Sequence, residues 1–101
     1  MSPLFAIRYL RTAQRDLIEI FEYIKKDRPQ AASGLLDKFD KSIAELAANP
    51  KLGILPKDER LKRLGYRILV VDKYLIFYVL KSKMVQIRRV IHGAMKYNFL
   101  L

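Results

Sequence analysis

Three features are missing from the sequence, and each absence excludes a class of protein. The chain has no cysteine, which excludes disulfide frameworks and thiolate metal sites and suits a reducing compartment. Its longest unbroken apolar run, Tyr74–Leu80, is far too short for a membrane-spanning helix. The opening stretch Met1–Leu10 lacks the long apolar core and the small-residue cleavage site of a signal peptide. These absences predict a cytoplasmic protein that does not associate with a membrane.

Positive charge is what the chain has in excess. Twenty Lys and Arg face ten Asp and Glu, which gives a net charge of +10. Residues 1–50 carry eight basic and seven acidic side chains, whereas residues 51–101 carry twelve basic and three acidic ones. Because solubility alone does not require charge to segregate, this asymmetry predicts an anionic partner such as nucleic acid, the ribosome or an acidic protein.

The spacing of apolar residues predicts the element order β-α-α-β-β-β. A first strand is predicted at Pro3–Tyr9, and residues repeating at intervals of three and four predict two helices. The first helix is predicted from an N-cap at Thr12 to about Lys25-Lys26, and the second from Asp27-Arg28-Pro29, with Asp27 as a capping residue, to about Asn49-Pro50. A loop over Lys51–Leu64 is predicted to precede three strands at Tyr66–Val71, Tyr74–Leu80 and Met84–His92.

This order predicts an α+β fold class. Two tightly joined helices form an antiparallel hairpin that packs on an antiparallel sheet, which the first strand can complete as a fourth member. The length is that of one domain, so residues 1–101 are predicted to form a single domain. The sequence shows no metal-ligand cluster, phosphate-binding glycine loop or cofactor motif, and we expect neither a metal nor a cofactor.

Several motifs in this order resemble those of the RelE/ParE family, the toxins of type II toxin–antitoxin systems. No single motif is specific, but the ordered set covers nearly the whole chain. The segments that carry the resemblance are Arg15–Ile20 in the first helix, Asn49-Pro50 with Gly53 in the loop, Gly65-Tyr66-Arg67 and Tyr74–Tyr78 in the strands, and Ile87–Gly93 with its closing His-Gly.

The resemblance implies one of two activities. RelE-like members are endoribonucleases that cut mRNA on the ribosome, and ParE-like members inhibit DNA gyrase. RelE-like nucleases place one arginine where this chain has Leu75 and another where it has Met95. Because one preorganised donor is worth roughly 3–4 kcal/mol in a charged transition state, these two losses argue against an efficient nuclease. We therefore expect a ParE-like toxin that acts on gyrase, with an attenuated RelE-like nuclease and a non-enzymatic nucleic-acid-binding module as alternatives.

For a RelE-like activity, the candidate catalytic residues are His92 as base or acid, Arg67 as a phosphate clamp and Tyr97 as a more distant candidate. A lone histidine at a strand end is more often structural, and so are the two tyrosines of the third strand. The methionine at position 95, where the family often has an arginine, is interpreted either as natural drift or as a detoxifying substitution.

The expected binding residues are Arg67, Arg88, Arg89 and Lys96. Strand alternation predicts that Arg88 and Arg89 point to opposite faces, with Arg88 on the face of His92 and Arg89 free to pair with an acid from a helix.

The resemblance also implies a cognate antitoxin. We expect it to be acidic and partly disordered when free, because such a partner matches a cationic toxin surface and folds on binding. The exposed side of the helical hairpin and the apolar tail are its candidate contact surfaces, and ordinary packing is the alternative for both. The apolar tail Phe99-Leu100-Leu101 is expected to pack on its own domain instead.

Overall fold

The computed structural model describes residues 4–93. Its elements are strand β1 (Ala6–Tyr9), helix α1 (Arg11–Lys25), helix α2 (Pro29–Ala44) with a 3-10 turn at Glu45–Ala47, a short helix α3 (Glu59–Arg63), and strands β2 (Tyr66–Val71), β3 (Tyr74–Lys81) and β4 (Met84–His92). The predicted strands and the helical hairpin are confirmed, with β1 starting three residues later than expected.

The four strands form one sheet in the order β1-β4-β3-β2. β2, β3 and β4 are antiparallel neighbours joined by tight turns, in which Asp72 and Ser82 have positive φ values of 53° and 54°. β1 pairs with β4 in parallel, from Ala6 opposite Met84 to Tyr9 opposite Ile87. The α+β fold class is confirmed, but the sheet is mixed because the long stretch between β1 and β4 allows a parallel return.

The helix starts differ from the predictions. Leu10, without a side-chain cap, precedes α1, and the hydroxyl of Thr12 instead donates to the carbonyl of Arg88 at 2.8 Å. Arg28 rather than Asp27 precedes α2, where Pro29 occupies the first turn as predicted. In both helices, tertiary contacts rather than N-terminal caps provide the stability.

Both faces of the sheet are apolar, and each is covered by a different part of the chain. One face packs against α1 and α2 around a first core cluster, which includes Phe39, Ile43, Ile76, Tyr78 and Ile87. The other face packs against α3 around a second cluster formed by Leu61 with Tyr66, Ile68, Phe77, Val79 and Ile91. We call these the helical face and the outer face of the sheet.

The predicted loop Lys51–Leu64 contains the helix α3, which apolar periodicity did not predict. Asp58 caps this helix by accepting from the backbone N–H groups of Arg60 and Leu61 at 2.8 and 3.2 Å. Upstream, Ile54 forms an isolated antiparallel bridge with Ile68 at the outer edge of β2. The segment is therefore fixed to the sheet at two points and covers its outer face.

Candidate functional site

Charge separates between the two layers of the fold. Residues 11–47, which form the helical layer, contain seven basic and seven acidic side chains. The described residues from 48 to 93 contain eleven basic and three acidic ones, and no acidic residue occurs in the four described strands. The excess positive charge therefore belongs to the sheet and to the segment that covers its outer face.

Arg67, the predicted phosphate clamp, holds the loop before α3. Its Nη1 atom donates to the carbonyl oxygens of Gly53 at 2.9 Å and Lys51 at 3.3 Å. The hydroxyl of Tyr78, in the next strand, donates to the carbonyl of Pro50 at 2.7 Å and accepts from the N–H of Gly53 at 2.9 Å. Arg67 and Tyr78 thus fasten the same loop, and Nη1 of Arg67 is already engaged.

The contact between Tyr78 and Gly53 leaves no room for a side chain at Gly53. A Cβ atom at Gly53 would lie 2.7 Å from the Tyr78 hydroxyl oxygen and 2.9 Å from the backbone oxygen of Ile68. Burial raises the pKa of Tyr78, and the hydrogen bond from Gly53 and the charge of Arg67 oppose this rise in part. Tyr78, the second tyrosine of the segment Tyr74–Tyr78, therefore has a structural role. We call its hydrogen bonds with Pro50 and Gly53 the latch.

A β-bulge changes the faces of the two adjacent arginines in β4. Phe77 lies opposite Arg89 but Tyr78 lies opposite Ile87, so Arg88 is an extra residue in the strand. The prediction that Arg88 shares a face with His92 is wrong, because simple alternation does not continue through a bulge. His92 instead lies opposite Tyr74 on the helical face, with the two rings edge-on at 5.3 Å.

Arg89 pairs with an acid of a helix, as predicted. Its Nε and Nη2 atoms donate to the carboxylate of Asp16 in α1 at 2.7 and 3.0 Å, and the N–H of Val90 donates to the same carboxylate at 2.9 Å. The hydrogen bonds with Asp16 raise the pKa of Arg89. One helical turn earlier, the hydroxyl of Thr12 donates to the carbonyl oxygen of Arg88. Helix α1 therefore covers the edge of β4 at the point where β1 ends.

Arg88 occupies a different environment on the outer face. Its guanidinium carbon lies 5.6 Å from the ring centre of Tyr66, and Nη2 donates to Oε1 of Gln86 at 3.2 Å. Nη1 lies 3.5 Å from the Tyr66 hydroxyl. The Nε atom is buried and has no hydrogen-bond partner in the described part of the chain. Neither Gln86 nor Tyr66 was predicted as a site residue, although the spacing of two between Gln86 and Arg88 indicates a shared face.

Two grooves flank α1. One, of about 310 Å³, is lined by Arg89, His92, Tyr74 and the α1 residues Asp16, Glu19, Ile20 and Tyr23, together with Val90 and Ile91. The other, of about 520 Å³, is mostly apolar and lies on the exposed side of the hairpin, where Ile18 is 62% exposed. Its lining residues are Tyr9, Gln14, Leu17, Ile18, Phe21, Glu22 and Leu36.

Residues 4–93 contain no cluster of side chains that could hold a metal ion. Within the same range, no helix is both long and apolar enough to cross a membrane.

A model of the family described as the ParE toxin of the type II toxin–antitoxin system parDE matches residues 7–97. The chain belongs to this family. It is thus a toxin of a type II toxin–antitoxin system. A sequence comparison with curated proteins gave no match.

Solved structures share the ParE-type fold. A chain of the chromosomal ParDE system from P. aeruginosa superposes with a TM-score of 0.74 at 21% identity, over 90% of this chain and 98% of that chain. A chain of the RelBE2 toxin–antitoxin complex from Mycobacterium tuberculosis gives 0.61 at 22% identity, over 88% and 98%. A chain of the E. coli DinJ–YafQ complex gives 0.57 at 15% identity, over 94% and 99%.

In this ParE-family toxin, the two predicted nuclease residues that the structure describes, Arg67 and His92, do not converge. Arg67 lies opposite Tyr78 and His92 opposite Tyr74, so the two are about 13 Å apart along β3 and lie on strands to either side of it. Leu75 packs against the second core cluster on the outer face. Met95, Lys96 and Tyr97 lie outside the described residues, as does the tail Phe99-Leu100-Leu101.

Proposed function

We propose that this toxin inhibits DNA gyrase, the activity associated with ParE-like members of the family. The observation that carries the proposal is the separation of Arg67 from His92. Cleavage of RNA requires a base, an acid and cations around one phosphate, within hydrogen-bond reach of it. Two candidates on opposite sides of β3 do not surround one phosphate.

Two further observations support this proposal over mRNA cleavage. Nη1 of Arg67 donates to two backbone carbonyls, which draws the side chain toward the loop rather than toward an external phosphate. Leu75 brings an apolar side chain to the position at which the family's nucleases have an arginine, and it is packed in a core cluster. A protein target such as gyrase requires neither cation.

The experiment is to induce the toxin alone in cells and to compare plasmid topology with mRNA integrity. We expect negative supercoiling to be lost before growth stops, while mapped mRNA 5′ ends stay unchanged. New mRNA ends inside coding regions, with normal plasmid supercoiling, would contradict the proposal and favour the attenuated nuclease. If neither changes, the nucleic-acid-binding module becomes the better account.

The same induction tests the hypothesis that Met95 is a detoxifying substitution. The Met95→Arg variant restores the arginine that the family commonly has at this position and should inhibit growth more strongly than the parent chain. A Gln30→Arg variant, which adds the same charge at an exposed position of α2, controls for effects of net charge. Identical growth of the Met95→Arg variant and the parent would count against this hypothesis.

We also propose that a cognate antitoxin, acidic and partly disordered when free, docks an apolar segment in the groove beside Ile18. Chains of similar fold come from toxin–antitoxin systems, which supports such a partner. Ile18→Lys should weaken antitoxin binding at least about tenfold in calorimetry with the antitoxin encoded beside this toxin, because it places a charge in an apolar contact. Tyr23→Lys is the matched control, since Tyr23 is also an exposed apolar residue of α1, at 77%, but lines the other groove.

The proposal extends to the organisation of the chain. Residues 1–101 are taken as one toxin domain that acts in the cytoplasm without a cofactor, in line with a family match that spans most of the sequence. Limited proteolysis of the toxin should then yield a single protected fragment close to full length, and two stable fragments would contradict it.

A further inference from the structure

Arg88 differs from the other two arginines of β2 and β4 in what it contacts. Arg89 is neutralised by the carboxylate of Asp16, and Arg67 donates to backbone carbonyls. Among the described residues, no carboxylate lies within ion-pair distance of Arg88, whose polar contacts are with the neutral side chains of Gln86 and Tyr66. Its positive charge is therefore positioned but not compensated.

The packing around Arg88 fixes the guanidinium in place. The ring of Tyr66 supports it from one side and is itself held by an edge-on contact with Phe77 at 6.3 Å. Gln86 accepts from one end of the group. A buried Nε without an acceptor is unfavourable in the isolated domain, so these contacts do not fully satisfy the side chain. Because the buried Nε does not reach an external ligand, a phosphate would be bound by the second hydrogens of Nη1 and Nη2, which a guanidinium held against an aromatic ring offers in a bidentate manner.

Further cations lie on the same face of the sheet. Arg8 is exposed and lies opposite Gln86 in the neighbouring strand, and it points to the outer face because Ile7 and Tyr9 pack on the helical side. The short helix α3 adds the exposed side chains of Arg60, Lys62 and Arg63. Its two acids are already engaged, since Asp58 caps the helix and Glu59 lies 3.5 Å from Lys62.

The surroundings of Arg88 fit a phosphate backbone better than an acidic protein. The core of a protein interface needs apolar or aromatic anchors. Next to Arg88, neither β3 nor β4 exposes a large hydrophobic side chain in the described part of the chain, whereas Val70 in β2 and Ile54, Leu55 and Leu64 around α3 are exposed. Arg88 and Arg8 therefore lie where such anchors are absent, and cations in that setting are typical of contacts to nucleic-acid phosphates.

We propose that the part of the outer face beside α3, around β4 and β1, binds nucleic acid through its phosphates, with Arg88 contacting one phosphate and Arg8 a neighbouring one. This inference does not rest on the gyrase proposal, because the charge and the contacts of Arg88 are the same whichever target the toxin has. It names the ligand by its chemistry, a nucleic-acid backbone, and predicts little dependence on base sequence.

The test is binding of the purified full-length toxin to a fluorescein-labelled DNA duplex, measured by anisotropy between 50 and 200 mM salt. Arg88→Gln should weaken binding about tenfold and reduce the slope of log K against log salt by about 0.9, the value for one lost phosphate contact. Arg88→Lys keeps the charge but loses the planar fork, so it should recover only part of the affinity. Arg15→Gln, the same charge change on the exposed side of α1, should change affinity less than about twofold.

Three results would overturn the inference. Equal losses for Arg88→Gln and Arg15→Gln would mean that net charge alone drives binding. Full affinity in Arg88→Lys would remove the role of the stacked fork. Displacement of the duplex by poly-glutamate as effectively as by unlabelled DNA would assign the face to acidic protein.

Thermal unfolding of each variant separates binding from folding. If Arg88→Gln unfolds at the assay temperature, Arg8→Gln takes its place, since Arg8 is exposed and its loss should leave the core intact. A loss of about threefold with a smaller salt slope is expected for Arg8→Gln, and unchanged binding would overturn the proposal.

Discussion

Replacing Asp16 by alanine should destabilise the toxin strongly, because this one carboxylate joins α1 to β4. It accepts three hydrogen bonds, from Nε and Nη2 of Arg89 and from the N–H of Val90. The side chains of the pair are only 11% exposed for Asp16 and 28% exposed for Arg89. Removing the acid leaves a partly buried guanidinium and a strand-edge N–H without this acceptor.

The magnitude follows from these contacts. Hydrogen bonds to charged groups contribute about 1.5–3 kcal/mol each, and breaking a fully buried ion pair costs about 3–5 kcal/mol. Because this pair is not fully buried, we expect the free energy of unfolding to fall by about 2–4 kcal/mol. For a domain of this size that corresponds to a decrease in Tm of roughly 10–25 °C.

The assay is urea unfolding of the parent, Asp16→Ala, Arg89→Ala and the double variant, followed by circular dichroism. The coupling energy between the two sites should be at least about 1.5 kcal/mol. Glu22→Ala, which removes an exposed acid from the same helix, should change stability by less than about 0.5 kcal/mol. A coupling below about 0.5 kcal/mol, or equal effects of Asp16→Ala and Glu22→Ala, would refute the reasoning.

Three further predictions concern the latch and its titration. Tyr78→Phe removes both hydrogen bonds to the loop at Pro50 and Gly53, so unfolding in urea should show a loss of about 2–3 kcal/mol, and a loss under 0.5 kcal/mol would show that the latch is dispensable. Gly53→Ala forces a Cβ against Tyr78 and Ile68 and should lower the free energy of unfolding by about 1–3 kcal/mol in the same assay. In the double variant Gly53→Ala, Tyr78→Phe the two effects should not add, because both changes act on one contact. Full additivity would contradict the shared contact. Burial raises the pKa values of Tyr9, Tyr74 and Tyr78 above 10.0, because the folded state favours their neutral forms. The free energy of unfolding should therefore hold up to about pH 10 and fall above it, as the folded-state pKa values are passed. A free energy of unfolding that does not decline up to about pH 11.5 would contradict this.

Hydrophobic periodicity carries much of the information about this fold. The stripes of the two helices and the β-rich runs after Gly65 predict six of the elements because each buries a continuous apolar face. The direction of β1 relative to β4 could not be predicted from periodicity, because the pattern of apolar residues is the same for parallel and antiparallel pairing. The parallel pairing follows only from the path of the chain. The helix α3 has five residues and one buried side chain, Leu61, so it has almost no periodicity. Its visible signal is the cap at Asp58.

The candidate site was less predictable, because one extra residue in β4 changes the outcome. Two adjacent arginines carry no mark of a bulge, so alternation wrongly assigns Arg88 to the face of His92. Pairing of Arg89 with a helix acid was predictable from charge alone, but the choice of Asp16 depends on how α1 crosses the strand edge. Similarly, Arg67 has the chemistry of a phosphate clamp, and only the path of the loop at Gly53 shows what it holds.

The central claim is tested most directly with the purified toxin, free of antitoxin, in two parallel reactions. One contains gyrase and relaxed plasmid, and the other contains ribosomes translating a defined mRNA. The account predicts that supercoiling is inhibited in proportion to toxin while the mRNA remains intact. Cleavage of the mRNA on the ribosome, with supercoiling unchanged, would contradict it and would return Arg67 and His92 to catalytic roles.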